Sequence, residues 1–307
     1  MTRLSVCIPT YQGARHIGRC LSSVLSQQLD DFEVIVADDL SGDGTVEIAR
    51  AFRDERIVVR CFPDRVGLAN NWNRALGLVS QSSDYIAVMG QDDEVERDWA
   101  QSLIALLDRH KDADLAFGRR RFAFEDEDSR RAVGDFFERR YPQMLSPFYE
   151  RIGERIDSSV MIEEAMRHHF EINLIGEPAF TIFRASSAAA REGFCTDLKQ
   201  LLDWEFSMRF FVDQPIVHCP RTLGTYHIHA RAQSIDNAPL SMHYREYHRL
   251  LESVERRFDR RLTPAQKESL ARRKAEVLEL EKEWLLRESS SRHSRESGNP
   301  GRRRTLP

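Results

Sequence analysis

Disulfide and zinc frameworks have little to build on in this chain. Its 5 cysteines, at positions 7, 20, 61, 195 and 219, are odd in number, far apart and free of any CxxC pair. They read as reduced thiols of a cytoplasmic protein. No apolar run approaches the ~18–20 residues that cross a bilayer, so no spanning segment is expected. Pro9 interrupts the first apolar stretch, MTRLSVCIPTYQG, and no secretory signal is expected there. An excess of one charge is also missing: 45 Lys+Arg against 49 Asp+Glu leave a net −4. Such a balance argues against a nucleic-acid partner. Phosphate-cradling glycines are absent, since the first turn reads PTYQGARHIG without GxGxxG and no GxxxxGK[ST] occurs. There is no internal repeat. What is present is 307 residues, 41% hydrophobic and 31% charged. That is enough chain for a large core and about two domains, under a heavily charged surface.

Over residues 1–118, short apolar runs alternate with helix-period segments. LSVCI (4–8), FEVIVA (32–37), IVVRC (57–61), YIAVM (85–89) and DLAFG (114–118) read as strands. Ile17, Cys20, Leu21, Val24 and Leu25 recur at i, i+3, i+4, i+7 and i+8, the stripe of an amphipathic helix. Further helices are expected after SGDGT (41–45), with Thr45 as a cap, over 68–79 and over about 98–109. The alternation predicts an α/β fold with a mostly parallel sheet flanked by helices, its strands buried on both faces. RRRFAFEDEDSRR reads as a solvated loop or hairpin, and SPFYERIGERI and SSVMIEEAMRHHF as helical pieces of a lid or acceptor-side wall. PAFTIFR (178–184), PIVHC (215–219) and GTYHIH (224–229) read as short strands, and LLDWEFSMRFFV (201–212) as a helix. The organisation expected is 1–118, 119–235 with a helical insertion, C-terminal helices over 236–288, and a disordered tail at 289–307. Leu270, Val277 and Trp284 recur every seven residues, which favours packing on the parent domain over a partner seam.

In an open parallel sheet, ligands bind beyond the carboxyl ends of the strands. Three such ends are polar here: Pro9-Thr10-Tyr11, Asp38-Asp39 and Gln91-Asp92-Asp93. Each alone reads as a cap or turn, but together they make one site. Without a glycine cradle, phosphate is expected to be held through a divalent cation, Mg²⁺ or Mn²⁺, on clustered carboxylates. Asp38-Asp39 has no obvious basic neighbour and suits hydrogen bonds to a nucleoside. His168-His169 and His218 read as packing or surface residues rather than metal ligands. Phe122, Phe124, Phe136 and Phe137 read as core or lid in preference to a sugar platform.

SVCIPTYQGARHIGRCLSSVLSQQLDDFEVIVADDLSGDGT (5–45) resembles the N-terminal signature of family 2 glycosyltransferases, which have the GT-A fold. VGLANNWNRAL (66–76), SSDYIAVMGQDDEV (82–95), GFCTDLKQLLDWEFSMRF (193–210) and YHIHARAQS (226–234) resemble its later motifs in order. The resemblance implies inverting transfer of a sugar from a UDP-, dTDP- or GDP-linked donor to an acceptor hydroxyl. The setting would be surface polysaccharide or glycolipid synthesis, with a carbohydrate or lipid-linked acceptor. By the same resemblance Pro9, Thr10, Tyr11 and Asp38 hold the nucleoside, with Asp39 beside them supporting the loop or ribose. Gly67, Asn73 and Gln91 join the nucleotide-sugar set. Asp92 is the direct metal ligand, His229 approaches the metal or diphosphate, and Asp203 is the base. Gly90 stands where the family has the first acid of its DxD motif. Leu202 replaces a frequent Glu, His227 an Arg, and Arg65 an Asn.

Two alternatives stay open. A non-catalytic nucleotide-sugar-binding module, working with partner proteins, is motivated by Gly90 and Leu202. Nucleotidyl transfer shares a similar sheet but needs a basic glycine-rich loop that is not visible. The basic tail at Arg302, Arg303 and Arg304 offers only modest attraction to anionic lipid at the inner membrane face.

Overall fold

The computed structural model describes residues 2–229 and 240–296. The apolar runs become β1 (Leu4–Thr10), β2 (Phe32–Asp38), β3 (Ile57–Cys61) and β4 (Tyr85–Val88). Between them lie α1 (Ile17–Leu25), α2 (Thr45–Ala51) and α3 (Leu68–Leu76). Every residue of β1 and β4 is buried, which is why their sequences do not alternate. α1 turns Ile17, Cys20, Leu21 and Val24 into the core. The chain continues through β5 (Glu94–Val95), α4 (Trp99–Arg109), β6 (Leu115–Phe124) and α5 (Glu127–Gly134). A π-helical turn (Asp135–Arg140) leads to α6 (Tyr141–Arg151), β7 (Arg155–Ile156), α7 (Ser158–Arg167) and β8 (Thr181–Arg184). α8 (Ala188–Glu192), α9 (Leu202–Met208) and β9 (Ile216–Ile228) follow.

Among the described residues these strands form one nine-stranded sheet in the order β3-β2-β1-β4-β8-β6-β9-β5, with β7 on β9. β3, β2, β1 and β4 are mutually parallel. β8 enters antiparallel between β4 and β6, so the segment after residue 118 extends the same sheet. Helix α3 packs on β1 and β2, and α4 on β6, β8 and β9. Thr10 pairs with Asp38 at the last rung of β1 and β2, whereas the β1–β4 ladder stops at Cys7–Val88. The segment after β4 is thereby free to curl toward the end of β1.

Several expectations are corrected. Arg119–Phe124 is not a solvated loop but the far half of β6, and Asp126 then caps α5, accepting the Ser129 N–H at 2.6 Å. In SPFYERIGERI the helix ends at Arg151, and Arg155–Ile156 pairs with β9. PIVHC and GTYHIH are one strand. Pro220 cannot donate to a ladder, and shifts in register between β6 and β9 carry the pairing past it. Thr45 is the first residue of α2; the cap position is Gly44, at φ 93°.

The chain divides into two compact units, residues 1–236 and 237–307. In the second, α10 (Leu240–Phe258) and α11 (Pro264–Glu296) pack on each other and bury Leu250, Leu251, Val254, Phe258, Leu270 and Val277. Ion pairs Lys274–Glu255 (2.6 Å) and Arg245–Glu281 (2.8 Å) join the two helices. Because α11 runs to Glu296, part of the expected disordered tail is helical. Residues 297–307, with Arg302 to Arg304, lie outside the described residues.

Candidate active site

At the end of β1, Thr10 Oγ1 donates to Asp38 Oδ1 (2.9 Å). Ser41 adds a backbone bond to Asp38 Oδ2 (2.8 Å) and a hydroxyl bond to Oδ1 (2.6 Å). Asp39 accepts the N–H groups of Val66 and Gly67, both at 2.8 Å, and lies 3.6 Å from Arg74 Nη1. The acidic pair therefore does have a basic neighbour, contrary to expectation, and Asp39 braces the loop entering α3. Gly67 supplies the positive φ of 82° that this loop requires. Pro9 stays in the β1–β2 ladder, opposite Ala37. Asn71, buried and not singled out in the sequence, donates to the carbonyls of Ala37 (2.9 Å) and Thr10 (3.3 Å), tying α3 to both strand ends. Asn73 is engaged elsewhere. Its amide exchanges two bonds with the backbone of Phe194, 2.9 Å from Nδ2 and 2.7 Å to Oδ1, tying α3 to the segment before α9.

The end of β4 folds onto the end of β1. The Gln91 amide and the Tyr11 backbone exchange two hydrogen bonds, each 3.0 Å. Gly13 makes room for this, because a Cβ there would run into the Gln91 amide. The SGDGT turn holds the same loop: Ser41, Asp43 and Thr45 accept the N–H groups of Gln12, Ala14 and Gly13 at 2.8–3.0 Å. Tyr11 is 36% exposed, with the Arg65 guanidinium 3.8 Å from its ring centre.

Asp92 Oδ2 meets His229 Nε2 at 3.0 Å, and this bond holds the imidazole above its ordinary pKa. The His229 ring stacks on His16 at 4.5 Å. Behind them Arg19 binds Glu125 (2.6 Å), Glu94 (3.1 Å) and the Asp92 carbonyl (3.1 Å). His227 bonds Glu94 at 2.7 Å. Burial pushes Glu125 up, but Arg19 and the two imidazoles more than reverse it, leaving it below the usual carboxylate range. Asp93 is buried beneath this layer. Burial, then the charges of Asp92 and Glu177, push its carboxyl well above the usual range.

Asp203, in the first turn of α9, accepts the Trp204 N–H (2.7 Å) and the Asn173 amide (3.3 Å). Burial and the neighbouring Glu177 push it up to about 7. Glu177 is paired with buried Arg120 at 2.6 Å, and Arg120 also donates to Tyr141 Oη at 2.6 Å. Glu177 raises both Asp93 and Asp203 and so lies within electrostatic reach of each. Sequence reasoning missed Glu177, Arg120, Asn173, His16 and Glu125. The strand period was the available signal for Arg120, because alternation puts it on the opposite face from Arg119 and Arg121.

The model of Glycosyl transferase family 2 matches residues 5–167, more than half of the chain. The chain belongs to glycosyltransferase family 2. It is 31% identical over 224 residues to an uncharacterized protein of Mycobacterium tuberculosis, covering 72% of this chain and 66% of that one. A PGL/p-HBAD biosynthesis glycosyltransferase of Mycobacterium bovis is 30% identical over 118 residues, 37% of this chain and 45% of that protein. The match thus spans less than two thirds of either relative. S. aureus TarS in complex with UDP-GlcNAc superposes with a TM-score of 0.66 at 18% identity, over 90% of this chain and 72% of that one. The mannosyltransferase PcManGT from Pyrobaculum calidifontis, in complex with GDP-Man and Mn²⁺, gives 0.57 at 16% identity, over 97% and 76%. The fold is GT-A.

At Gly90 a Cβ would lie 2.7 Å from Asp93 Oδ2 and 3.0 Å from Asp92 Oδ1, so the two carboxylates close over this position. No group of three His, Cys, Asp or Glu side chains forms a cation cage among the described residues. Asp92 and His229 are a pair. Asp92 is the hard oxygen donor that Mg²⁺ or Mn²⁺ takes beside phosphate oxygens and water, whereas the imidazole of His229 is a softer nitrogen donor.

Proposed function

We propose that this family 2 protein transfers a sugar from a nucleoside diphosphate donor to an acceptor hydroxyl by a single displacement that inverts the anomeric centre. The observation that carries the reading is Asp203, a carboxylate raised to about 7 by burial and by Glu177, whose charge also reaches Asp93 beyond the end of β4. A base poised near neutrality can take the acceptor proton as the oxygen attacks. Asn173 and the Trp204 N–H orient that carboxylate. Tyr11 offers a ring face to the base, and the Thr10–Asp38–Ser41 network rigidifies the nucleoside end. Asp92 and His229 would hold Mg²⁺ or Mn²⁺, which when bound neutralises charge on the departing diphosphate. UDP-, dTDP- and GDP-sugars are the donor candidates, the first and last being the kinds bound in TarS and PcManGT. A carbohydrate or lipid-linked acceptor suits a relative named for PGL/p-HBAD biosynthesis. No described helix is long and apolar enough to cross a membrane.

The test is Asp203→Asn. Turnover should fall by about 10²–10⁴, the usual worth of a general base, while calorimetry finds UDP affinity within twofold of the parent. Loss of UDP binding would assign Asp203 a structural role instead. A second reading, a non-catalytic nucleotide-sugar-binding module, is favoured by Gly90 and Leu202. Tight UDP binding unaffected by chelator, with no turnover of any donor, would select it.

A further inference from the structure

The π-helical turn Asp135–Arg140 carries two consecutive phenylalanines, and the reaction as described does not use them. Phe137 packs 5.1 Å from Phe122 and 6.1 Å from Tyr226, and Phe136 packs 5.1 Å from Phe137 and 5.5 Å from Tyr141. The cluster is not core, as Phe122, Phe137 and Tyr226 are half-buried and Phe136 is 38% exposed. It connects to the site through two residues: Tyr141 Oη donates to the Asn173 carbonyl (2.9 Å), and the Asn173 amide donates to Asp203 (3.3 Å). Two side chains therefore separate the exposed ring from the carboxylate that would receive the acceptor's proton.

We propose that Phe136, backed by Phe137 and Tyr141, is an acceptor subsite that stacks a pyranose ring of a saccharide acceptor. This rests on the glycosyl-transfer reading and names the acceptor class. An aromatic face carries negative charge density. The C–H face of a sugar is weakly positive, so the two stack while the sugar's hydroxyls point outward. The surroundings suit those hydroxyls, because Asp135–Arg139 (2.5 Å) and Arg130–Glu138 (3.3 Å) are exposed ion pairs on the same turn and its flank. An alkyl chain fits worse, since one exposed ring with a charged rim offers little apolar length to cover. π-Helical turns are rare single-turn features that recur at functional sites, and this one carries the two rings that the Tyr141–Asn173 relay connects to Asp203.

Saturation-transfer NMR on the full chain, with UDP and MnCl₂ present, tests this. The probes are the methyl glycosides of glucose, galactose, mannose and N-acetylglucosamine. At least one should receive saturation on its axial ring protons. Phe136→Ala should weaken that glycoside at least fivefold with UDP affinity within twofold, and Phe136→Trp should retain binding. Wild-type protein that binds UDP but none of the glycosides overturns the subsite and leaves glycosyl transfer standing. So does a Phe136→Ala variant, folded by circular dichroism, that binds the glycoside as well as wild type. Octyl glucoside bound more than tenfold tighter than methyl glucoside would assign the ring to an alkyl chain and also overturn it. Failure to bind UDP at all removes the functional reading itself, and the subsite with it.

Discussion

Asp38 accepts three hydrogen bonds at the end of β2, while Asp203 accepts two and faces the charge of Glu177. The same functional group thus braces a strand end in one place and is the proposed base in the other. With Asp203 near 7, kcat should rise with pH through neutrality and level off above it, and a glutamine at position 177 should shift that limb to lower pH. Stability has the opposite sign. Between 3.8 and about 7 the folded chain retains a proton that the unfolded chain has released. This contribution is therefore complete below 3.8 and is lost as pH rises through about 7. The slope is at most on the order of 1.4 kcal/mol per pH unit. Asp203→Asn should flatten that part of a urea-melt pH series. Asp92→Asn, like a chelator, should lower UDP affinity measured with Mn²⁺ and leave affinity without the metal unchanged.

At the scale of elements, the site depends on how closely the segment after β4 lies against the loop after β1. Gly13 and Gly90 both sit where a side chain would collide with this segment, Gly13 with Gln91 and Gly90 with the two aspartates. Restoring the family acid through Gly90→Asp should therefore harm the protein. The atoms a Cβ would meet are carboxylate ends that can swing aside, so the cost comes from a third carboxylate set beside Asp92 and buried Asp93. A Tm several degrees below the parent in a thermal melt is expected, and an unchanged or raised Tm would contradict it. The strands themselves were legible, since β1 to β4 are continuous apolar runs and α1 a clean stripe. β9 was not: Pro220 looks like a break, and only its partner strand with a shifted register shows that pairing resumes.

For the whole molecule, every residue given a role above lies in the unit 1–236. A chain ending at residue 236 should melt cooperatively and bind UDP with the affinity of the full protein. A truncated chain lacking a cooperative transition would show that the helices of residues 237–307 are needed for folding. The sequence by itself determined the parallel half of the sheet, the order of its elements and the acids at three strand ends. Those follow from local spacing, and period and turn chemistry are written residue by residue. Tertiary structure alone decided that Glu177 would come within electrostatic reach of both Asp93 and Asp203, that Arg120 would be buried against it, and that the Asn73 amide would bond the Phe194 backbone. Burial and distance between residues far apart in the chain exist only once the layers have packed, and the proton affinity of Asp203 comes from both.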